Sequence, residues 1–398
     1  MRFSPTQTRF SRAVREFLDA EAAGAIALMC AAVVALVWAN SPWDGAYRAL
    51  WRTEIRVELA NASIAEDLRH WVNDALMTIF FFVVALEIKR ELVDGELRDP
   101  RKAAVPAVAA LGGMMIPAAL FALITLGSAG SRGWGIPMAT DIAFAVGVVV
   151  LFGSRVSPSL KLFLLTLAIV DDIGAIVVIA IFYSSGLEPA ALVAAVALLL
   201  VIALLRRVGV NHVMIYVVLG TGVWLVTYQS GVHATIAGVA VGLLTPARQR
   251  QDDDGAAATM SVAERLQHAI HPFSSFVIVP IFALANAGVR IEGDAFEAPG
   301  AGRVMVAIVA GLVLGKLFGI LGATWLAVRS GLGRLPEDSS WRQVAGVAAV
   351  AGIGFTVSLF ITGLAFDTPT LQSAAKIGVL TGSVAAAGLG SLLLVVKR

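Results

Sequence analysis

Long runs of residues without Asp, Glu, Lys or Arg fill most of this 398-residue chain. Hydrophobic residues make up 58% of the sequence and charged residues 15%, against roughly 25% in a typical soluble domain. A soluble protein of this length needs a polar surface, which such runs do not supply. Because a helix crosses a bilayer with about 20 apolar residues, the sequence predicts an all-α polytopic membrane protein.

Apolar runs with few or no charged residues predict about twelve membrane spans. Their approximate ranges are 22–43, 76–88, 103–131, 135–152, 162–187, 189–205, two spans within 208–247, 266–289, 304–328, 343–366 and 377–396. Basic residues test this count, because cytoplasmic segments carry an excess of Lys and Arg. With both termini in the cytoplasm, cytoplasmic segments hold 21 Lys and Arg residues and the opposite loops hold 7.

Three polar segments flank these spans within one predicted membrane domain, residues 1–398. Residues 1–21 are basic and amphipathic, and we interpret them as a retained cytoplasmic surface helix, not a cleaved signal. Residues 44–70 form the longest periplasmic loop, and the alternation within 51–59 predicts a short strand pair. Residues 248–264 are predicted to be a solvated cytoplasmic linker.

Two adjacent carboxylates, Asp171 and Asp172, lie inside the predicted fifth span. One charge at the centre of a span costs roughly 2.5–3.5 kcal/mol on insertion scales, so protons, a cation, a basic partner or water must compensate the pair. Neighbouring helical residues are about 100° apart, so the two carboxylates point in different directions. Lys316, inside the tenth span, is the candidate partner for one of them. A purely structural ion pair is the alternative for this lysine.

Two predicted spans contain weak points. The fourth carries Pro137, Thr140 and Asp141, and proline tends to break a helix. The eleventh contains two glycines and two hydroxyls within 352–358. Interrupted spans in corresponding halves point to a transporter site at an inverted repeat, here spans three to five and ten to twelve. Close helix packing is the alternative explanation of the glycines.

These residues belong to longer stretches that resemble bacterial sodium/proton antiporters of the NhaA type. The similarity runs from span two to span eleven and covers nearly the whole chain. The matching stretches are WVNDALMTIFFFVVALEIKREL (71–92), GWGIPMATDIAFAVG (133–147), LAIVDDIGAIVVIAIFY (167–183), SGVHATIAGV (230–239), FALANAGV (282–289), LVLGKLFGI (312–320) and GIGFTVSLFI (352–361).

The resemblance implies twelve helices, with helices IV and XI unwound at their middles and crossing each other. It implies that Asp172 is the principal ligand of Na⁺ or Li⁺ and that Asp171 is the second carboxyl and the partner of Lys316. The residues implied to support the crossing are Asp141, Thr140, Gly352, Gly354 and Thr356.

The resemblance also implies a pH-response network that includes Glu87, His233 and the start of span nine. At the start of span nine, the family has a carboxylate at the position where this chain has Gln267. Glu264, one turn earlier, is the candidate substitute for that carboxylate. His233 follows a break at Gly231, and an unperturbed histidine titrates near pH 6.5. A hydrogen-bonded histidine at a helix end is the alternative.

We therefore expect an electrogenic antiporter, not an enzyme, that exports Na⁺ or Li⁺ for two protons by alternating access in a bacterial inner membrane. No cofactor and no nucleic-acid partner are expected, and a homodimer through 51–59 rests on the resemblance alone. The nearest rival is a sodium-coupled symporter for a small solute, although no solute pocket is identifiable. An intramembrane aspartyl protease fits adjacent aspartates poorly, and twelve spans argue against a light-driven pump.

Overall fold

A computed structural model of the chain describes residues 5–59, 62–184, 186–247, 260–291 and 299–395. These residues are almost entirely helical, with one β-hairpin. The hairpin strands are β1 (Glu54–Leu59) and β2 (Ala62–Asp67). In chain order the α-helices are α1 (Pro5–Ala39), α2 (Asp44–Trp51), α3 (Leu68–Trp71), α4 (Met77–Val93), α5 (Pro100–Ile124), α6 (Ile142–Leu151), α7 (Pro158–Phe182), α8 (Pro189–Val208), α9 (Val213–Gln229), α10 (Thr235–Leu244), α11 (Val262–Phe273), α12 (Val279–Asn286), α13 (Ala301–Ala310), α14 (Lys316–Arg329), α15 (Trp341–Val350), α16 (Phe355–Ala365) and α17 (Pro369–Val395).

Several of these helices join into longer membrane-crossing segments. Eight candidate spans lie among the described residues, at Ala22–Ala39, Leu68–Val93, Pro100–Ile124, Pro158–Phe182, Pro189–Val208, Val262–Asn286, Ala301–Arg329 and Pro369–Val395. Two bent helix pairs bring the number to 10, and α9 and α10 are shorter apolar helices. The prediction of an all-α polytopic membrane protein is confirmed, and the count of twelve stays a prediction.

Three of the long segments contain a π turn, in which each hydrogen bond spans one residue more than in an α-helix. The turns are Val72–Leu76 between α3 and α4, Ser274–Ile278 between α11 and α12, and Gly311–Gly315 between α13 and α14. The second span is consequently longer than the predicted 76–88, because helical structure continues through the π turn back to Leu68. Hydropathy does not distinguish a π turn from an α turn.

Local sequence signals explain several helix ends. Ser261 and Glu264 form a capping box at the start of α11, in which each side chain accepts a hydrogen bond from the other residue's backbone N–H. Part of the predicted linker therefore belongs to this helix, and residues 248–259 lie outside the described part of the chain. Helix α8 is followed directly by Gly209, whose φ of 86° is readily adopted by glycine.

The N-terminal segment is helical from Pro5, and the outer loop contains more regular structure than its sequence predicts. Helix α1 includes much of 1–21, although the side chains of that part are outside the described set. Only the first strand lies within the predicted 51–59, and the antiparallel register runs from Glu54↔Asp67 to Leu59↔Ala62. Burial raises the pKa of Tyr47 in α2, and its hydroxyl donates a hydrogen bond to the carbonyl oxygen of Leu284 at 2.8 Å.

The chain divides into two compact units. The first contains the described residues within Met1–Leu36, Pro100–Ala175 and Val289–Arg398. The second contains those within Val37–Asp99 and Ile176–Gly288. Both bent helix pairs, the aspartate pair and Lys316 belong to the first unit, whereas the predicted fifth span, 162–187, is divided between the two units after Ala175.

Candidate functional site

The first bent pair joins a 3₁₀ segment, Ala129–Met138, to α6 at an angle of 47°. Between them the backbone is extended, with φ and ψ of −79° and 148° at Ala139 and of −83° and 105° at Asp141. Pro137 lies at the end of the 3₁₀ segment, where it supplies no backbone N–H for a continuing helix. The break therefore lies beside the proline, as the sequence predicts.

The second bent pair joins α15 to α16 at an angle of 46°. Gly352 and Gly354 lie between the two helices, and both are buried. A Cβ atom at Gly352 would collide with the carbonyl oxygen of Leu312, and one at Gly354 would come within 2.9 Å of the Leu312 side chain. These glycines therefore allow close packing at a helix break, which combines the two explanations considered from the sequence.

Backbone groups freed by each break find partners on the other one. The N–H of Asp141 donates to the carbonyl oxygen of Ile353 at 2.7 Å. The hydroxyl of Thr140 lies 2.7 Å from the carbonyl oxygen of Ala351. The hydroxyl of Ser358 donates to the carbonyl oxygen of Ile136 at 2.6 Å. Buried backbone groups require such partners, so the two breaks stabilise each other.

Asp141 occupies the N-terminal ends of two half-helices. Its carboxylate accepts hydrogen bonds from the N–H of Phe144 at 3.1 Å, in α6, and from the N–H of Thr356 at 3.0 Å, in α16. The Thr356 hydroxyl donates to the same carboxylate. A carboxylate at a helix N-terminus satisfies free N–H groups and interacts favourably with the helix dipole. The buried charge of Asp141 is thus stabilised by two helices together.

Lys316, Asp171 and Thr140 form a second polar cluster. The Lys316 ammonium donates to Oδ2 of Asp171 and, at 3.0 Å, to the hydroxyl of Thr140. The Thr140 hydroxyl is also 2.6 Å from Oδ2 of Asp171. All three side chains are completely buried. Thr140 therefore connects the ion pair to the end of α15 through its contact with Ala351.

Two features of this cluster fit a site for a small cation or a proton. Oδ1 of Asp171 is buried and, within the described part of the chain, has no hydrogen-bond partner. Asp172, the next residue, is also buried, with 6% of its surface exposed. No group of three or more His, Cys, Asp and Glu side chains suited to a metal occurs among the described residues. The cluster itself offers the carboxylate of Asp171, the hydroxyl of Thr140 and the nearby carbonyl oxygen of Ala351, which are oxygen ligands of the type that hard cations prefer.

The residues of the predicted pH-response network lie in the second unit and have different partners. The Glu87 carboxylate is 3.4 Å from Nε2 of His271, and both side chains are mostly buried. Nε2 of His233 is 2.6 Å from the carbonyl oxygen of Tyr183, a contact that fits the helix-end alternative. Gln267 is buried in α11, and the Glu264 carboxylate accepts from the N–H of Ser261 at 2.8 Å.

Sequence reasoning missed two residues of these networks. His271 lies one helical turn after Gln267, a spacing that places both on the same side of α11. Ser383 of α17 accepts a hydrogen bond from the N–H of Gly354 at 3.3 Å. The spacing offered a signal for His271, whereas nothing in the sequence pattern links Ser383 to a glycine 29 residues earlier.

Comparisons with known proteins agree with this architecture. Residues 15–394 match the model of a family described as Na⁺/H⁺ antiporter 1. The Na⁺/H⁺ antiporter NhaA 3 of Frankia alni is 47% identical over 406 residues, which cover 96% of this chain and 88% of that protein. NhaA of Bordetella parapertussis is 47% identical over 393 residues, with 98% of each chain covered. NhaA of Shewanella loihica is 44% identical over 385 residues, covering 95% of this chain and 96% of that protein.

The family match includes both bent helix pairs, the aspartate pair and Lys316. The resemblance stated from the sequence is therefore confirmed. This chain belongs to the Na⁺/H⁺ antiporter 1 family of multi-pass membrane transporters.

Proposed function

We propose that this chain is an electrogenic antiporter that exports Na⁺ or Li⁺ in exchange for protons by alternating access. Its role would be to maintain intracellular pH and sodium in a bacterium, from the inner membrane and with both termini in the cytoplasm. The observation that supports this most is the buried cluster of Asp171, Lys316 and Thr140, with one carboxylate oxygen that lacks a partner among the described residues. The names of the relatives support the exchange of Na⁺ for H⁺.

The chemistry of exchange follows from the energetics of buried charge. A carboxylate removed from water is unfavourable unless a proton, a cation or a hydrogen-bonded basic group compensates it. Asp171 and Asp172 supply adjacent carboxyl oxygens, which bind either protons or a hard cation. Since the two ligands compete for the same oxygens, a site that opens alternately to the two sides exchanges one for the other.

We assign Asp172 as the principal cation ligand and Asp171 as the second carboxyl, which alternates between the cation and Lys316. A cation that binds Asp171 weakens its attraction to Lys316, and this change biases the helices that carry the two residues. Asp141, Thr140, Gly352, Gly354 and Thr356 support the site by holding the two helix breaks together. Two protons per cation would make the cycle electrogenic, because two positive charges then move inward for each one that moves outward.

The remaining proposals concern regulation and assembly. Glu87, His233, Glu264 and Gln267 are proposed to contribute to the response to pH, with Gln267 altering the pH at which activity begins. The whole chain is proposed to act as one transport domain in contact with membrane lipid. The outer hairpin of β1 and β2 is proposed to support a homodimer.

Proteoliposomes that contain the purified protein provide the test. Adding Na⁺ or Li⁺ without any organic solute is expected to drive proton flux, and a membrane potential is expected to change its rate. Asp172→Asn is expected to abolish the flux, whereas Asp338→Asn, at an exposed position with a φ of 55° that asparagine tolerates, is expected to preserve it. A requirement for an organic solute would instead support a sodium-coupled symporter. Wild-type exchange by Asp172→Asn would overturn the site assignment.

A further inference from the structure

The helix that carries Lys316 is not a regular α-helix. The π turn Gly311–Gly315 ends at the residue directly before the lysine, and α13 and α14 continue on its two sides. A π turn contains one residue more than the corresponding α turn. This residue changes the direction of every side chain that follows by about 100° relative to those before it.

Both flanking helices are held by their neighbours, so the turn determines their relative rotation. Helix α13 packs against α17, and α14 packs against α5. If α13 kept its position and the helix continued without the π turn, the side chain at position 316 would be rotated about the helix axis by about 100°. This rotation would turn it away from Asp171. Lys316 would then not reach Asp171 and Thr140.

Close contacts hold the turn in this shape. A Cβ atom at Gly315 would lie 2.8 Å from the Cα of Pro117 in α5, and one at Gly311 would lie 2.7 Å from the Cβ of Pro137. Both positions therefore require glycine at this separation. Leu312, inside the turn, is completely buried and lies against Gly352 and Gly354 of the second helix break. The turn is thus packed against both interrupted segments.

We propose that the π turn Gly311–Gly315 is the positioning element that directs Lys316 at Asp171 and Thr140, and that Gly315 is the residue on which it depends. The inference deepens the proposed function, because it assigns the turn a role in setting the affinity for the transported cation. Gly315 touches no reacting group and acts through the direction of the lysine. A displacement of about 1 Å at such a site is enough to alter function by up to two orders of magnitude.

Gly315→Ala tests the proposal against Gly322→Ala. The control residue lies on the same helix, α14, and a Cβ atom there would meet nothing within 4 Å. We expect Gly315→Ala to raise the apparent KM for Na⁺ about tenfold with less than a threefold change in kcat. Gly322→Ala is expected to remain within twofold of the wild type in both constants. Equal KM values for the two variants would overturn the proposal.

A second variant covers the case in which Gly315→Ala does not fold. Pro117→Ala removes the proline ring of α5 that faces Gly315. Replacing a proline within a helix by alanine introduces no obstacle to folding. We expect it to raise the apparent KM about threefold, because the turn loses its contact with Cγ of the ring, while Cα and Cβ of residue 117 remain. An unchanged KM for this variant would also contradict the proposal.

A double-mutant cycle distinguishes a positioning role from general damage to the protein. The dissociation constant for Na⁺ is measured by calorimetry on purified protein, with and without Gly315→Ala, in the wild-type and Lys316→Ala backgrounds. We expect a change of about tenfold in the first background and less than twofold in the second. Equal changes in both would overturn the inference. A wild-type protein without sodium-dependent proton flux would instead overturn the proposed function, so the two failures are distinguishable.

Discussion

Lys316 donates a hydrogen bond to Asp171 within a part of the first unit where neither side chain is accessible to solvent. The two residues are 145 positions apart in the sequence and belong to α7 and α14. A single buried charge without a partner is strongly unfavourable in free energy, so each residue of this pair compensates the charge of the other. The other carboxylate oxygen of Asp171, Oδ1, is buried and has no hydrogen-bond partner among the described residues.

Removal of the lysine is expected to destabilise the protein, and removal of both charges is expected to restore part of the loss. Lys316→Ala should lower the free energy of unfolding by about 3–5 kcal/mol, because it leaves Asp171 buried and unpaired. The double variant with Asp171→Asn should be more stable than Lys316→Ala alone. Unfolding in detergent followed by circular dichroism measures this, with exposed Arg334→Ala as the control. Additive losses in the double variant would show that the two residues are not energetically coupled.

The hydroxyl of Thr140 is expected to matter more than its methyl group. Thr140→Val removes the hydrogen-bonding partner of Lys316, Asp171 and the carbonyl oxygen of Ala351, at an expected loss of about 1–3 kcal/mol of stability. Thr140→Ser retains the hydroxyl and should stay close to the wild type in stability and in exchange rate. Thermal unfolding and sodium-driven proton flux provide the two measurements. Similar behaviour of the valine and serine variants would indicate that only packing matters at this position.

Asp141 is expected to contribute more than an ordinary helix cap, because its carboxylate serves two helices. Asp141→Ala removes the caps of α6 and α16, and each cap contributes about 1 kcal/mol, so we expect a loss of about 2 kcal/mol or more. Ser261→Ala, which removes a single cap from α11, is the matched control and should lose about half as much. Chemical denaturation measures both values. Equal losses for the two variants would contradict the double-cap interpretation.

Glycine at position 242 is expected to be required for packing in the second unit. A Cβ atom there would lie 2.7 Å from the Cβ of Ala85 and 2.9 Å from the carbonyl oxygen of Phe82, both in α4. Gly242→Ala should therefore destabilise the protein by about 1–3 kcal/mol through overpacking. Gly222→Ala introduces only an ordinary contact, 3.7 Å from Leu198, and should be neutral or slightly stabilising. The melting temperatures of the two variants are compared with that of the wild type. A higher melting temperature for Gly242→Ala would contradict the close packing of Gly242 against α4.

Local features of the sequence predicted the helical elements with fair accuracy. The length and hydropathy of each run depend on the bilayer and not on neighbouring helices, so most of the long spans lie near their predicted ranges. The two breaks also lie where predicted, beside Pro137 and at Gly352 and Gly354, because proline and glycine act on the backbone at their own positions. The pH-response residues and the roles of the aspartates rest on the family resemblance and stay predictions.

By itself, the sequence determined the class of the protein, the approximate positions of its long spans and the set of charges that must be compensated within the membrane. Helix geometry required Asp171 and Asp172 to point in different directions, but it did not determine which of them meets Lys316. The family resemblance implied that Asp171 is the partner of Lys316, but only the tertiary structure showed the contact itself. The tertiary structure alone also decided that Asp141 caps α16 as well as α6 and that a π turn precedes the lysine. The physical reason is that hydropathy and backbone preference act within a few residues. Partners 145 or 215 residues apart depend instead on how the helices pack.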